Sequence, residues 1–406
     1  MSSLQETPKG ERIHIAFFGR RNAGKSTLIN ALTRQSIALV SAVPGTTTDP
    51  VFKAMEIVPL GPVMIVDTAG IDDEGELGMM RVEKTKKIFA QTDIACLVVN
   101  TRLGISAYEI ELEKELAQRN VPTVIVLHQI EADAMEELER EAKEKWPAVP
   151  IVTVNGKAQT GMEALMTALA QCKPQAAEEE ISILDGVVEA GDTVLLITPI
   201  DGSAPKGRMI LPQVQVIRAV MDKNAHCIVA QPEEIPNVLR QLKRLPHITI
   251  TDSQAFGQVN ALLPASCPLT SFSILMARYK GDLKELAAGA AALRTLQPGD
   301  KVLIAEGCTH RRQCEDIGTV KIPNWLRKNG FDVQFTWTSG TEYPEDLSSY
   351  KLIIHCGGCM LHRREMLRRL EEARLHHIPI VNYGVLIAKL HGILDRALSP
   401  FLDELK

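Results

Sequence analysis

Two groups of residues in this chain have the types and spacing that chemistry requires. The first is Gly19-Arg20-Arg21-Asn22-Ala23-Gly24-Lys25-Ser26: a glycine, four residues, then Gly-Lys-Ser. It follows the apolar run Ile13 to Phe18 and opens the helical stretch Lys25 to Arg34. A phosphate loop in that setting turns backbone N–H groups and a helix N-terminus toward a β-phosphate. Gly19, Asn22, Ala23, Gly24 and Thr27 would surround the phosphates. Lys25 would neutralise β/γ charge and the Ser26 hydroxyl would ligate Mg2+. Asp67-Thr68-Ala69-Gly70 closes the apolar run Val63 to Val66. Its carboxylate would hold the magnesium through a water, and the Gly70 N–H would meet the γ-phosphate. Between these motifs, Pro44-Gly45-Thr46-Thr47-Thr48-Asp49 can act as a switch over magnesium and γ-phosphate, with Thr47 preferred to Thr46 and Thr48.

The second group is Cys308-Thr309-His310, after the run Val302 to Ala305, with His355-Cys356-Gly357-Gly358-Cys359, after Leu352 to Ile354. Loops at the carboxyl ends of strands in an α/β sheet share one crevice, so the two motifs can meet. Glycines between two cysteines let both thiolates reach one centre, and soft thiolates select zinc or an iron–sulfur cluster. Thiol redox chemistry is a further option, and it needs a low-pKa thiol. His310 and His355 are each a ligand or a hydrogen-bond donor behind a ligand. Cys96 and Cys227 lie in apolar strands and read as core, while Cys172, Cys267 and Cys314 lack ligand-like partners.

The elements that must position these residues read as α/β. At 406 residues the chain is long enough for two or three domains. Strand and helix patterns alternate through residues 1–172, as a parallel sheet covered by helices requires. Residues 173–190 are polar and read as a linker. Residues 191–266 and 267–406 form two further small α/β domains with largely parallel sheets. Gly191-Asp192-Thr193-Val194-Leu195-Leu196-Ile197 echoes Gly299-Asp300-Lys301-Val302-Leu303-Ile304 and suggests that they are related. Arg363, Arg364, Arg368, Arg369 and Arg374 stud a predicted helix. They read as a solvated basic face or a docking face for an acidic partner, with Leu367, Leu370 and Leu375 facing inward.

Composition narrows the function classes. Hydrophobic content of 45% and charged content of 23% are those of a soluble globular protein. A net charge of -5 gives no general basic field for nucleic acid. Met1 to Gly10 is polar and the longest apolar runs are strand-sized, which predicts a cytoplasmic protein with no membrane span and with reduced thiols.

The three nucleotide motifs, in this order, resemble those of translation-factor-type GTPases, in the branch that contains the TrmE and Der GTPases. That resemblance implies GTP hydrolysis. Asn22 stands where the branch has an asparagine that helps bind K+, and Ile71 stands where Ras-like proteins keep a catalytic glutamine. Potassium-assisted turnover is therefore implied. The Asn-Lys-x-Asp motif that the family uses for guanine is here His128-Gln129-Ile130-Glu131. Glu131 keeps a carboxylate for the base, Asn155-Gly156-Lys157 stands as the last base loop, and weaker guanine binding is expected.

With the cysteine motifs added, the chain resembles the FeFe-hydrogenase maturation GTPases (HydF) over essentially its full length, as GTPase, dimerisation and cluster domains. The resemblance implies a 4Fe-4S cluster on Cys308, Cys356 and Cys359, with an exchangeable fourth iron site, in a homodimer. It implies a scaffold that receives a diiron cluster precursor from radical-SAM maturases and delivers it to apo-FeFe-hydrogenase. The competing expectation is an RNA- or ribosome-associated GTPase with a structural Cys3His zinc site.

Overall fold

The computed structural model describes residues 11–33, 51–57, 60–68, 88–89, 91–129, 135–172, 182–200, 209–307, 316–340, 342–344 and 346–406. Two compact units, residues 1–180 and 181–406, divide the chain.

In the first unit six strands, β1 (Ile13–Phe18), β2 (Val51–Ile57), β3 (Gly61–Asp67), β4 (Ile94–Asn100), β5 (Thr123–His128) and β6 (Ile151–Val154), lie in the order β2-β3-β1-β4-β5-β6. The sheet is parallel except for β2, which runs antiparallel to β3 along the edge. β4 and β5 are buried at every position, which is why they read as continuous apolar runs. Alternate residues of β1 feed two cores: Ile15 and Phe17 pack with Leu28 and Leu165 on one face, Ala16 and Phe18 with Leu116 and Trp146 on the other.

The second unit holds two four-stranded sheets. The first contains β7 (Thr193–Ile197), β8 (His226–Ala230), β9 (Ile248–Thr251) and β10 (Leu269–Ser271), ordered β10-β9-β7-β8. The second contains β11 (Lys301–Glu306), β12 (Gln334–Ser339), β13 (Leu352–His355) and β14 (Ile380–Asn382), ordered β12-β11-β13-β14. Every pairing in both is parallel. In each, the second strand lies on one side of the first, and the third and fourth lie on the other. Gly191 and Gly299 enter the two first strands at φ 84° and 87°, a backbone that glycine adopts without strain. The sequence echo thus marks a shared architecture.

The correspondence extends past the last strands. Ser271 caps the helix Phe272–Lys280 by accepting from Ile274 N–H, and Asn382 caps Tyr383–Leu390 by accepting from Gly384 N–H. Ser273 Oγ donates to Asn382 Oδ1 at 3.0 Å and links the two. One hydrophobic core runs through both sheets and includes Ile183, Leu184, Val187 and Val188. These four side chains lie in the segment that reads as linker, and burial in this core is what folds them; residues 173–181 lie outside the described residues.

The helix Arg363–Leu375 turns a different face inward than expected. Leu367 and Leu375 are exposed, while Glu365, Met366, Arg369, Leu370 and Ala373 are buried. Met366, Arg369, Leu370 and Ala373 follow the i, i+3, i+4, i+7 spacing of a single helix face. A continuous inner stripe therefore includes an arginine.

Candidate functional site

The phosphate loop is built by the carboxyl ends of three neighbouring strands. Gly19 leaves β1 at φ 144°, and a Cβ there would lie 2.4 Å from Val98 O of β4. Asn100, at the end of β4, donates from Nδ2 to Asn22 O at 2.9 Å and accepts from Arg102 and Leu103 N–H. From β5, the ring nitrogen His128 Nδ1 stands 3.2 Å from Ala23 O. Asn22 itself is exposed with left-handed φ of 62°, a conformation asparagine tolerates. Arg20 is anchored to Glu109 by Nε to Oε1 at 2.7 Å.

Lys25 is buried, and its Nζ donates to Gly19 O at 2.7 Å and Arg20 O at 3.0 Å. The ammonium therefore lies across the loop it must serve. Ser26 Oγ donates to Asp67 Oδ2 at 2.6 Å. The two groups assigned to magnesium meet although they come from different elements. Burial raises the Asp67 carboxyl above its ordinary range, while the Ser26 hydrogen bond and Lys25 pull it back. Thr68 Oγ1 donates to Phe17 O at 2.6 Å and fixes the chain as it leaves β3. Thr27 is exposed one residue beyond Ser26. Thr47, Gly70 and Glu131 lie outside the described residues.

His128 takes on a positioning role that its place in a degenerate guanine motif did not suggest. Its Nδ1 faces Ala23 O, and Gly156 N–H donates toward Nε2 at 3.4 Å. The ring thus ties the phosphate loop to the loop after β6, where Asn155 Oδ1 accepts from Lys157 and Ala158 N–H. Burial holds the imidazole below its ordinary pKa, with the Ala23 contact opposing and Lys157 adding to the effect. Asn100 and Glu109 were missed in the sequence. Their only signal there was a polar residue ending an apolar strand and a capping-box glutamate.

The cysteine turn lies in the second sheet of the second unit. β11 and β13 are adjacent, with Ala305 opposite His355. Their neighbours lie on opposite outer sides, so the turn sits at a switch point of the sheet, where α/β proteins open a crevice. Cys356 N–H donates to Ala305 O at 3.0 Å. Two backbone N–H groups point at its sulfur, from Gly307 at 3.0 Å and Gly358 at 3.4 Å. Gly358 has φ 65°, which turns the chain between the cysteines. Burial raises both thiols, Cys359 to about 12 with Cys356 adding and Lys280 opposing. The Gly307 and Gly358 N–H groups oppose that rise at Cys356. N–H donors converging on sulfur are what a metal-bound thiolate uses. Two cysteines on one glycine turn therefore fit a soft metal centre.

Among the described residues there is no group of three or more His, Cys, Asp or Glu placed to hold a metal ion, and Cys308, His310 and Cys314 lie outside those residues. His355 is fully buried with Nδ1 2.7 Å from Cys356 O and Nε2 3.1 Å from Arg369 Nη1. Cys96 and Cys267 are buried in the cores of their units and Cys227 packs against the second. No helix among the described residues is long and apolar enough to cross a membrane.

Three family models match the chain. Residues 14–129 match the 50S ribosome-binding GTPase model, residues 183–281 the hydrogen maturase F dimerization domain, and residues 284–400 the hydrogen maturase F tetramerization domain. The boundary between the last two separates the two four-stranded sheets. The GTPase Der of Wolinella succinogenes is 32% identical over 165 residues, 39% of this chain and 34% of that protein. The tRNA modification GTPase MnmE of Syntrophomonas wolfei is 26% identical over 188 residues, 46% of this chain and 38% of that protein. The chain thus spans well under half the length of these relatives. Aquifex aeolicus Era, solved with GDP and AlF4-, is 18% identical with a TM-score of 0.36, covering 57% of this chain and 98% of that one.

Proposed function

Because this chain belongs to the hydrogen maturase F family and carries a P-loop GTPase domain of the MnmE and Der kind, we propose that it is a GTP-hydrolysing scaffold that carries a diiron cluster precursor to FeFe-hydrogenase. The observation that carries this reading is the adjacency of β11 and β13. It sets the Cys356-Cys359 turn beside the strand that leads into Cys308.

Cys308, Cys356 and Cys359 would hold a 4Fe-4S cluster, whose exchangeable fourth iron site would accept an incoming ligand. The Gly307 and Gly358 N–H groups would hydrogen-bond the Cys356 thiolate and temper its charge. In the GTPase domain Gly19, Ala23, Gly24 and Lys25 would bind the phosphates, and Ser26, Asp67 and Thr47 would serve magnesium. Asn22 would bind potassium, and Gly70 and Glu131 would meet the γ-phosphate and the base. The strand β10 (Leu269–Ser271) pairs within the first sheet, which moves the boundary expected at residue 267 to about residue 282. Residues 183–281 would form the homodimer interface and the residues after them the cluster domain. GTP binding would switch contacts with radical-SAM maturases and apo-hydrogenase, in the cytoplasm.

The decisive experiment is anaerobic purification with iron, sulfide and zinc analysis, followed by EPR after reduction. About four irons per chain, with a reduced-cluster signal lost in Cys356→Ser and Cys359→Ser, is the expected result. One zinc per chain, without sulfide, would replace this reading by a GTPase with a structural zinc site.

A further inference from the structure

Arg369 is a fully buried side chain, a rare place for arginine unless every donor is used. Its Nε donates to Glu365 Oε1 at 3.0 Å and its Nη2 to Gly340 O at 2.6 Å. The guanidinium lies 4.9 Å from the Tyr343 ring centroid. Its Nη1 reaches His355 Nε2 at 3.1 Å. A guanidinium has only donors and keeps its charge in proteins, so His355 Nε2 must be the acceptor. On the other side of the ring Nδ1 faces the Cys356 carbonyl at 2.7 Å, and a carbonyl only accepts. One tautomer satisfies both contacts: proton on Nδ1, lone pair on Nε2. A flipped proton would set N–H against N–H and carbonyl against lone pair.

We infer that Arg369 locks His355 as a clamp on the Cys356 carbonyl, which makes this histidine a positioning residue of the cysteine turn and not a metal ligand. The inference rests on reading that turn as a metal site. A metal on His355 Nε2 would need the lone pair that Arg369 holds. Its binding would strip a buried guanidinium of a partner, with Glu365 and Gly340 O left to satisfy it. A metal on Nδ1 would break the bond that holds the Cys356 carbonyl. The clamp explains why a strongly basic helix turns one arginine inward: Arg369 is aimed at the strand end that carries the turn.

The test is imidazole 15N NMR on the full-length, metal-free protein, followed by titration with Zn2+. His355 is assigned among the ten histidines by its absence in His355→Gln. The expected spectrum has a protonated Nδ1 and a bare Nε2, and Nε2 keeps its position as zinc moves the Cys356 and Cys359 Cβ resonances to metal-thiolate values. An Nε2-protonated ring, or an Nε2 displaced to the zinc-bound range, overturns the inference. Cysteines that ignore zinc would count against the metal reading of the turn, while the tautomer in the same sample still decides for or against the clamp. Zinc affinity supplies a second readout. His355→Ala should weaken it about 10–100-fold, the usual effect of removing a group behind a ligand. Gln, which carries an acceptor and a donor but does not replace a ligating imidazole, should recover most of that loss. Failure of Gln to recover any affinity beyond Ala counts against the clamp.

Discussion

Ser26 Oγ donates to Asp67 Oδ2 at 2.6 Å, across 41 residues of sequence. The contact joins the first turn of the phosphate-loop helix to the end of β3, and it brings together two oxygens suited to a hydrated magnesium ion. Asp67 is held in this position at an electrostatic cost. Burial raises its pKa, so ionisation costs more in the folded chain than in the unfolded one and subtracts from stability above the ordinary carboxylate range. Asp67→Asn removes that cost. Without magnesium and nucleotide the variant should melt no lower than the wild type, while magnesium-dependent GTP turnover falls at least about 100-fold. Scanning calorimetry and phosphate release measure the two halves. Near wild-type turnover would remove Asp67 from the magnesium site.

Gly24 is the tightest point of the loop. Its φ is 98°, and a Cβ there would lie 2.1 Å from His128 Nδ1. Gly24→Ala should therefore push the imidazole off Ala23 O and distort the loop, with nucleotide affinity falling at least about 100-fold by calorimetric titration. The double variant Gly24→Ala, His128→Ala opens the space but leaves the backbone strain. It should recover only part of the loss. Full recovery would mean that steric contact alone sets the need for glycine.

His128 predicts a pH dependence. Its folded pKa is depressed by burial. A depressed histidine contributes stability that is present above the ordinary value of about 6.5 and is lost as pH falls below it. Protonation also ends the acceptance of the Gly156 N–H by Nε2. Unfolding free energy and nucleotide affinity should both drop on going from pH 7.5 to pH 5.5, and His128→Asn should flatten the affinity profile. An unchanged slope in that variant would assign the pH effect elsewhere.

Much of this was legible in the sequence because it depends on spacing. The phosphate loop, the Asp67 motif and the strands β4 and β5 follow from local pattern, since buried parallel strands leave continuous apolar runs. The echo at Gly191 and Gly299 foresaw two related sheets but not their common strand order, which depends on pairing between distant segments. β2 was invisible because its alternate residues are exposed and it earns its place by antiparallel pairing with β3. Asn100 was missed, and Arg369 was read as part of a solvated or docking face, for one physical reason. Each makes a contact that lies far along the chain, Asn22 O for Asn100 and Gly340 O for Arg369, and local composition reports only that such residues usually face water. The reading of Leu367 and Leu375 as the inner face of their helix failed for the complementary reason: a buried ion pair displaced two leucines to the outside.

That buried pair gives the last prediction. Arg369 and Glu365 have side chains 0% and 4% exposed, and Nε to Oε1 is 3.0 Å. Removing one charge leaves the other without compensation where water cannot reach it. Glu365→Gln keeps the size and one acceptor but leaves the Arg369 guanidinium unneutralised, and it also breaks the pair that Glu365 makes with the partly exposed Arg368, Nη2 to Oε1 at 2.9 Å. It should cost about 3–5 kcal/mol in urea unfolding. The exposed pair Arg218 and Asp222, 2.7 Å apart with side chains 75% and 53% exposed, is the internal control. Asp222→Asn should change stability by less than about 1 kcal/mol, because solvent screens that pair. Similar costs at the two sites would show that Arg369 finds water or another anion when Glu365 is neutral, and that the inner face of the helix is more open than its burial implies.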